Sequence, residues 1–257
     1  MLLAVDVGNT NTTFAVFEGA QIAASWRIET AARRTEDEYS VILGTLLIRE
    51  GLAKQQIDGV IISSVVPTAV EPLVRLARSF FGVDSPLVVG KGEDFGVPVR
   101  YQPISDVGAD RIANAVAAHE IYGGPVIVVD FGTATTFDAV AEDGTYLGGA
   151  IAPGVETSVE ALVAKTAQLR RVQYSKPSSV IGTSTVESLQ SGIVFGFAGQ
   201  VDGIVVRMKE EIGGSVKVVA TGGLAEIVGA ESRTIEEIDP LLTLKGLQII
   251  YSRCRAS

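Results

Sequence analysis

Two short segments carry aspartate, glycine and hydroxyl side chains in the same order. Asp6-Val7-Gly8-Asn9-Thr10-Asn11-Thr12-Thr13 stands near the start, and Asp130-Phe131-Gly132-Thr133-Ala134-Thr135-Thr136 near the middle. A glycine-rich turn between strands lets backbone N–H groups approach phosphate oxygens. The hydroxyls of Thr10, Thr12, Thr133 and Thr135 can donate further hydrogen bonds. Neither segment contains lysine or arginine, while Asp6, Asp130 and Asp138 lie in or beside them. Two unit charges roughly 4 Å apart interact by about 4 kcal/mol at an effective dielectric near 20. A polyphosphate and these carboxylates can therefore share a site only with cations among them. The pair of turns reads as a metal-dependent phosphate site. The plainer alternative is two hairpin turns whose aspartates cap backbone N–H groups.

A third segment, Gly108-Ala109-Asp110-Arg111, opens an alanine-rich helix running to about Tyr122. Two readings of it stand. A carboxylate in a first helical turn is favoured by the helix dipole alone. The chemical reading makes Asp110 the general base for a substrate hydroxyl, with Arg111 offering a fork to a carboxylate or phosphate. His119, the only histidine, reads as a helix surface or core residue, which argues against histidine catalysis or a histidine metal cluster. Thr221-Gly222-Gly223 follows a strand, so close approach of a flat ligand such as adenosine and a plain strand-to-helix turn are equally open. G-x-x-x-x-G-K-[ST] and G-x-G-x-x-G are both absent, so P-loop and Rossmann readings lose their main support.

The elements that must position these residues repeat. Leu2–Val7 reads as a buried strand, Thr12–Phe17 as a second and Gln21–Ile28 as a third. Helices are expected from Glu36 to Arg49 and from Pro67 to about Phe81, with strands at Val60–Ile62 and Leu87–Val89. The opening recurs at an offset of 124 residues, Val129-Asp130 standing for Val5-Asp6 and Ala139-Val140 for Ala15-Val16. The chain is read as two duplicated α/β halves facing each other across a cleft, 1–105 and 106–257. A long helix is expected from about Thr183 to Glu211, with Gly192, Gly196, Gly199 and Gly203 along one stripe. Each glycine costs a helix roughly 1 kcal/mol relative to alanine. Close packing against another element or a partner subunit explains the stripe; a helix broken in two is the alternative.

Charge and cysteine content exclude several classes. A net charge of −9 and only two basic doublets, Arg33-Arg34 and Arg170-Arg171, give no basic stripe for a nucleic-acid backbone. Cys254 is the single cysteine, so no disulfide framework exists, as suits a reducing compartment. The N-terminus lacks a basic region before its apolar run, and no uninterrupted apolar run has the roughly 18 residues of a membrane span. The expectation is a cytoplasmic protein that binds neither nucleic acid nor membrane.

Taken in order, Asp6 to Asn11, Gly108 to Arg111, Asp130 to Ala134, Gly148-Gly149-Ala150-Ile151-Ala152-Pro153-Gly154 and Thr221-Gly222-Gly223 form a set that resembles the type III pantothenate kinases, and the likeness spans the chain. The resemblance implies the actin-like fold of acetate and sugar kinases, Hsp70 and actin. It also implies transfer of the ATP γ-phosphate to pantothenate at the first step of coenzyme A synthesis, a homodimer, magnesium, and a monovalent cation, K⁺ or NH₄⁺. Matched by residue, Asp6, Val7, Gly8, Asn9, Thr10, Asn11, Thr12 and Thr13 form the first phosphate loop, and Thr133 meets ATP from the second. Asp110 is the base and Asp130 holds the monovalent cation. Tyr101 lines the pantothenate pocket with Gly108, Ala109, Asp110 and Arg111. Thr185 reaches substrate across the dimer. The rivals are a kinase or polyphosphate hydrolase of this fold with another substrate, and a nucleotide-binding regulatory protein without turnover.

Overall fold

The computed structural model describes residues 1–90, 97–166 and 169–256. Its strands are β1 (Leu2–Val7), β2 (Asn11–Glu18), β3 (Gln21–Glu29), β4 (Gly59–Ser64), β5 (Leu87–Val88), β6 (Val126–Phe131), β7 (Ala134–Val140), β8 (Tyr146–Pro153), β9 (Lys217–Gly222) and β10 (Glu237–Ile238). Its helices are α1 (Glu36–Arg49), α2 (Pro67–Ser79), α3 (Ala109–Tyr122), α4 (Val155–Lys165), α5 (Thr185–Ile212), α6 (Ala225–Val228) and α7 (Leu242–Ala256). The expected strands and helices are present, with ends shifted by one or two residues.

The chain forms two compact units, each built on one sheet. In the first, the order is β3-β2-β1-β4-β5, with β1, β2 and β3 antiparallel and β1, β4 and β5 parallel. β1 and β4 are apolar on both faces, as a strand covered on both sides must be. α1 is started by a capping box, in which Thr35 N–H donates to Glu38 Oε2 (2.8 Å) and Glu38 N–H to Thr35 Oγ1 (3.3 Å). Pro67 begins α2 where its missing N–H is not needed. Tyr39, Leu43 and Leu47 of α1 pack with Leu73 and Leu76 of α2 against Phe14, Val16 and Ile62.

The second unit repeats the topology as β10-β9-β6-β7-β8, with the same antiparallel and parallel pairings. The duplication read from the sequence is thus a duplication of the sheet. One detail differs. Asp6 and Asp130 are 124 positions apart, but Phe14 and Phe137, both fully buried, are 123 apart. Val7 faces Thr12 across the first turn, whereas Phe131 faces Thr135 across the second. The second turn is one residue tighter, so beyond it Ala139-Val140 answers to Val16-Phe17 and not to Ala15-Val16. The register irregularity falls between those two residues in both copies.

The units are not two contiguous halves cut at 105/106. The first takes in 1–97, 102–117 and 243–257, and the second 98–101 and 118–242. The chain's end returns to the first unit because α7 packs there. A Cβ at Gly246 would overlap the Ala113 carbonyl, and one at Gly59 would overlap the Tyr251 ring. Thr243 also donates to Asn114 Oδ1 at 2.7 Å.

α5 is one continuous helix of 28 residues, capped by Ser184, so no break relieves its glycines. Ile193, Ala198, Val201 and Val205 bury one stripe in the core of the second unit. Among the described residues α5 is long and apolar enough to cross a membrane by length and composition, although Gln190, Gln200 and Asp202 interrupt it. A core helix passes the same test. Added Cβ atoms on Gly192, Gly196 and Gly199 would meet nothing within 4 Å, so among the described residues none presses on that edge.

Candidate active site

The first turn joins β1 to β2 and is closed by Gly8 N–H donating to Asn11 O at 3.0 Å. Asn9, Thr10 and Asn11 are exposed, and Asp6 and Thr13 are half-buried. Val7 belongs to the apolar core, and Thr12 is fully buried. The Thr12 hydroxyl, expected to face a ligand, is instead 2.8 Å from the Thr30 hydroxyl. Thr30, just past the end of β3, has no counterpart in the sequence reading. Its N–H donates to Thr10 O at 2.9 Å and its hydroxyl to Gly8 O at 2.8 Å.

The second turn closes through Gly132 N–H and Ala134 O at 3.1 Å. The Thr133 carbonyl is held from outside by Gly154 N–H (3.1 Å) and the Thr157 hydroxyl (2.7 Å). A Cβ on Gly154 would overlap the Gly132 and Thr133 carbonyl oxygens, so only glycine allows this approach. Thr133 itself is exposed. Thr135, like Thr12, is fully buried and its side chain does not reach solvent.

Asp130 is the penultimate residue of β6, opposite Thr136 on β7 and Thr221 on β9. Gly222 presses against it: a Cβ there would lie 2.5 Å from Asp130 Oδ1, and its φ of +94° suits glycine alone. The result is a half-buried carboxylate walled by peptide groups. Asp138 does not join it as an open charge. Its side chain is wholly buried and accepts from the Tyr146 hydroxyl at 2.8 Å and the Thr136 hydroxyl at 3.1 Å. Asp138 pairs with Val128, one step deeper in the sheet than Asp130 with Thr136, and is buried there under Tyr146, so the crowding of three open carboxylates expected from the sequence is not found. The Asp138–Tyr146 pair instead backs Tyr101, whose ring centroid lies 6.4 Å from that of Tyr146. Gly148 leaves room for the Tyr101 ring, 3.5 Å from where a Cβ would stand.

Asp110 sits in the first turn of α3, with its Oδ1 accepting from Arg111 N–H at 2.8 Å. A Cβ on Gly108 would overlap that oxygen, so Gly108 makes the space the carboxylate occupies. Burial pushes the Asp110 carboxyl above its ordinary pKa, outweighing the Arg111 N–H and the Arg111 charge, which both favour the ionised form. Arg111 is itself buried, at 7% exposure. Asp6 to Thr13 and Gly108 to Arg111 belong to the first unit; Tyr101, Asp130, Thr133 and Thr185 belong to the second. Thr185 is the exposed first residue of α5, beside Val186. His119 Nε2 lies 3.0 Å from the Glu142 carbonyl, a structural role. Among the described residues no group of three or more His, Cys, Asp or Glu side chains could hold a metal ion.

Residues 2–207 match the type III pantothenate kinase family. The chain is 50% identical to the type III pantothenate kinase of Myxococcus xanthus over the full length of both. It is also 50% identical to that of Moorella thermoacetica, over 98% of this chain and 99% of that protein. Among solved structures it resembles a putative Baf family transcriptional activator from Campylobacter jejuni (TM-score 0.59, 20% identity, 99% and 100% of the two chains). It resembles component A of the Acidaminococcus fermentans (R)-2-hydroxyglutaryl-CoA dehydratase as well (TM-score 0.58, 17% identity, 100% and 99% covered). At these identities the structures speak for the fold alone, that of the actin-like ATPases and sugar kinases. The two sequence relatives speak for more, and by them this chain belongs to the type III pantothenate kinase family.

Proposed function

We propose that this protein transfers the γ-phosphoryl group of ATP to the primary hydroxyl of pantothenate, giving 4′-phosphopantothenate and ADP, the first step of coenzyme A synthesis. The observation that carries the reading is the 50% identity along the whole chain to two type III pantothenate kinases; the burial of Asp110 in the first turn of α3 supports it. Asp110 accepts the hydroxyl proton as the pantothenate oxygen forms its bond to the γ-phosphorus and the bond to the ADP oxygen breaks. Tyr101, Gly108, Ala109 and Arg111 hold pantothenate for that attack, Arg111 with a fork suited to its carboxylate. Asp6 to Thr13 and Thr133 receive the ATP phosphates through peptide N–H groups. Positioning supplies most of the rate, because phosphoryl transfer asks little covalent chemistry of a protein. The protein works in the cytoplasm, without nucleic acid or membrane.

Asp130 suits a monovalent cation, since one carboxylate walled by peptide groups at Gly132 and Gly222 offers hard oxygen donors at low total charge. Together with magnesium on the nucleotide, K⁺ or NH₄⁺ there would offset charge on a triphosphate that meets no lysine or arginine in either turn. Thr185 meets substrate from the other subunit of a homodimer. The uncovered glycine edge of α5 and the exposed Val180, Ile181 and Val186 beside its start support that assembly.

Because burial raises the Asp110 pKa, the base is lost to protonation at a higher pH than an ordinary aspartate, near 3.9, would be. kcat/KM should fall as pH drops through that raised value and recover above it. Asp110→Asn should abolish this acid limb and lower kcat on the order of 10²–10⁴-fold, with ATP binding and fold retained. A variant with near wild-type turnover returns Asp110 to a capping role. Replacing K⁺ and NH₄⁺ by a bulky organic cation at constant ionic strength and saturating magnesium should cut activity steeply. Asp130→Asn should blunt the response to K⁺; unchanged activity without any monovalent metal or ammonium contradicts the cation. Light scattering should report about twice the 26.9 kDa chain mass, and a fully active monomer would remove Thr185 from the substrate site.

A further inference from the structure

Thr30 is bound to the first turn by three hydrogen bonds that follow from no motif. A planar trans peptide directs its C=O and N–H to opposite sides. The Thr30 hydroxyl draws the Gly8 carbonyl inward (2.8 Å), so the N–H of the same peptide, that of Asn9, is turned away from Thr30. The Thr30 N–H draws in the Thr10 carbonyl (2.9 Å) and so turns the Asn11 N–H away likewise. The third bond, between the Thr30 and Thr12 hydroxyls (2.8 Å), fixes the rotamer that makes the first possible. Both outward N–H groups belong to exposed residues.

The second turn is also tied back, by other residues and at a single carbonyl. Glu29 pairs with Asn11 as Pro153 pairs with Ala134, so Gly154 is the structural counterpart of Thr30. Its N–H ties the Thr133 carbonyl as that of Thr30 ties Thr10, but it has no side chain and no room for one. A hydroxyl is supplied by Thr157, one turn into α4, which joins Gly154 N–H on the same Thr133 carbonyl at 2.7 Å. The Ala134 N–H is thereby directed away. Each turn thus has a threonine hydroxyl holding one of its carbonyls from behind, on the Gly8–Asn9 peptide in the first and on the Thr133–Ala134 peptide in the second.

We infer that Thr30, and Thr157 in the second copy, are positioning residues of the ATP site: each ties a turn carbonyl back into the protein so that peptide N–H groups face the phosphates. The inference rests on the reading that these turns bind ATP. Thr30→Val keeps the shape and the backbone tie and removes only the hydroxyl. It should raise KM for ATP roughly three- to tenfold, the fold-change expected from one neutral hydrogen bond. KM for pantothenate should stay within about twofold of wild type, and Thr30→Ser should restore KM for ATP. Thr157→Val, at an exposed position, should do the same and serves if Thr30→Val does not fold. Thermal melting gives the control: a merely structural threonine lowers stability and total activity without separating the two KM values, and that result overturns the inference. Asn9→Pro, which deletes one outward N–H, separates the two levels. If Asn9→Pro raises KM for ATP and neither valine variant does, the threonine role is wrong. If Asn9→Pro also leaves it unchanged, the turn does not hold ATP and the underlying reading fails.

Discussion

If the two Asp–Gly turns receive the ATP phosphates, as proposed, they do so through peptide N–H groups, because neither turn carries a basic side chain. A lysine can swing to find a phosphate; a peptide cannot, and it presents an oxygen as readily as a hydrogen. Each turn must therefore be held from behind, with its carbonyls occupied inside the protein. That requirement reaches far from the turns. It fixes the pairing of β3 with β2 as far as Thr30, and it demands glycine at 154, where β8 passes into α4 against two carbonyl oxygens. It also places Thr12 and Thr135 in the interior, where strand alternation puts every second residue.

The same economy governs the carboxylates. Asp110 and Asp130 each occupy space left by a glycine, Gly108 in one case and Gly222 in the other. Burial makes the Asp110 carboxylate less comfortable as an anion, which strengthens its pull on a proton. Asp138, by contrast, is answered by two hydroxyls and serves to steady Tyr146 and, through it, Tyr101. Three aspartates that look alike in sequence thus differ in surroundings: one is buried beside Gly108, the proposed base; one is half-buried beside Gly222, the proposed cation ligand; and one is answered by two hydroxyls.

How much of this could be read from the sequence depended on the range of the interaction. Strands such as Leu2–Val7 and helices such as Glu36–Arg49 follow from local periodicity and caps, and both sheets came out as expected. The repeat was visible because Asp and Gly stay in step. The shortening of the second turn was not, because Ala139-Val140 matches Ala15-Val16 at an offset of 124, while Thr135-Thr136-Phe137 matches Thr12-Thr13-Phe14 at 123. Thr30 lies 22 residues from Gly8, and only the β2–β3 register brings them together. The burial of Asp138 depends likewise on pairing, which brings Tyr146 of β8 over it. The return of α7 to the first unit depends on Gly246 meeting Ala113, a contact across more than half the chain that no local pattern announces.

The most direct test is to observe the turn amides themselves. In two-dimensional amide spectra of ¹⁵N-labelled protein, titration with magnesium–ATP in the presence of K⁺ should move the resonances of Asn9, Thr10 and Asn11, and of Thr133 and Ala134, more than any others in the chain. The N–H groups should shift as hydrogen-bonded donors do, and titration with adenosine alone should leave them in place. If the largest changes fall instead on the side chains of Arg111 or of the lysines, with the turn amides unmoved, the phosphates are held by basic groups and the backbone account is wrong.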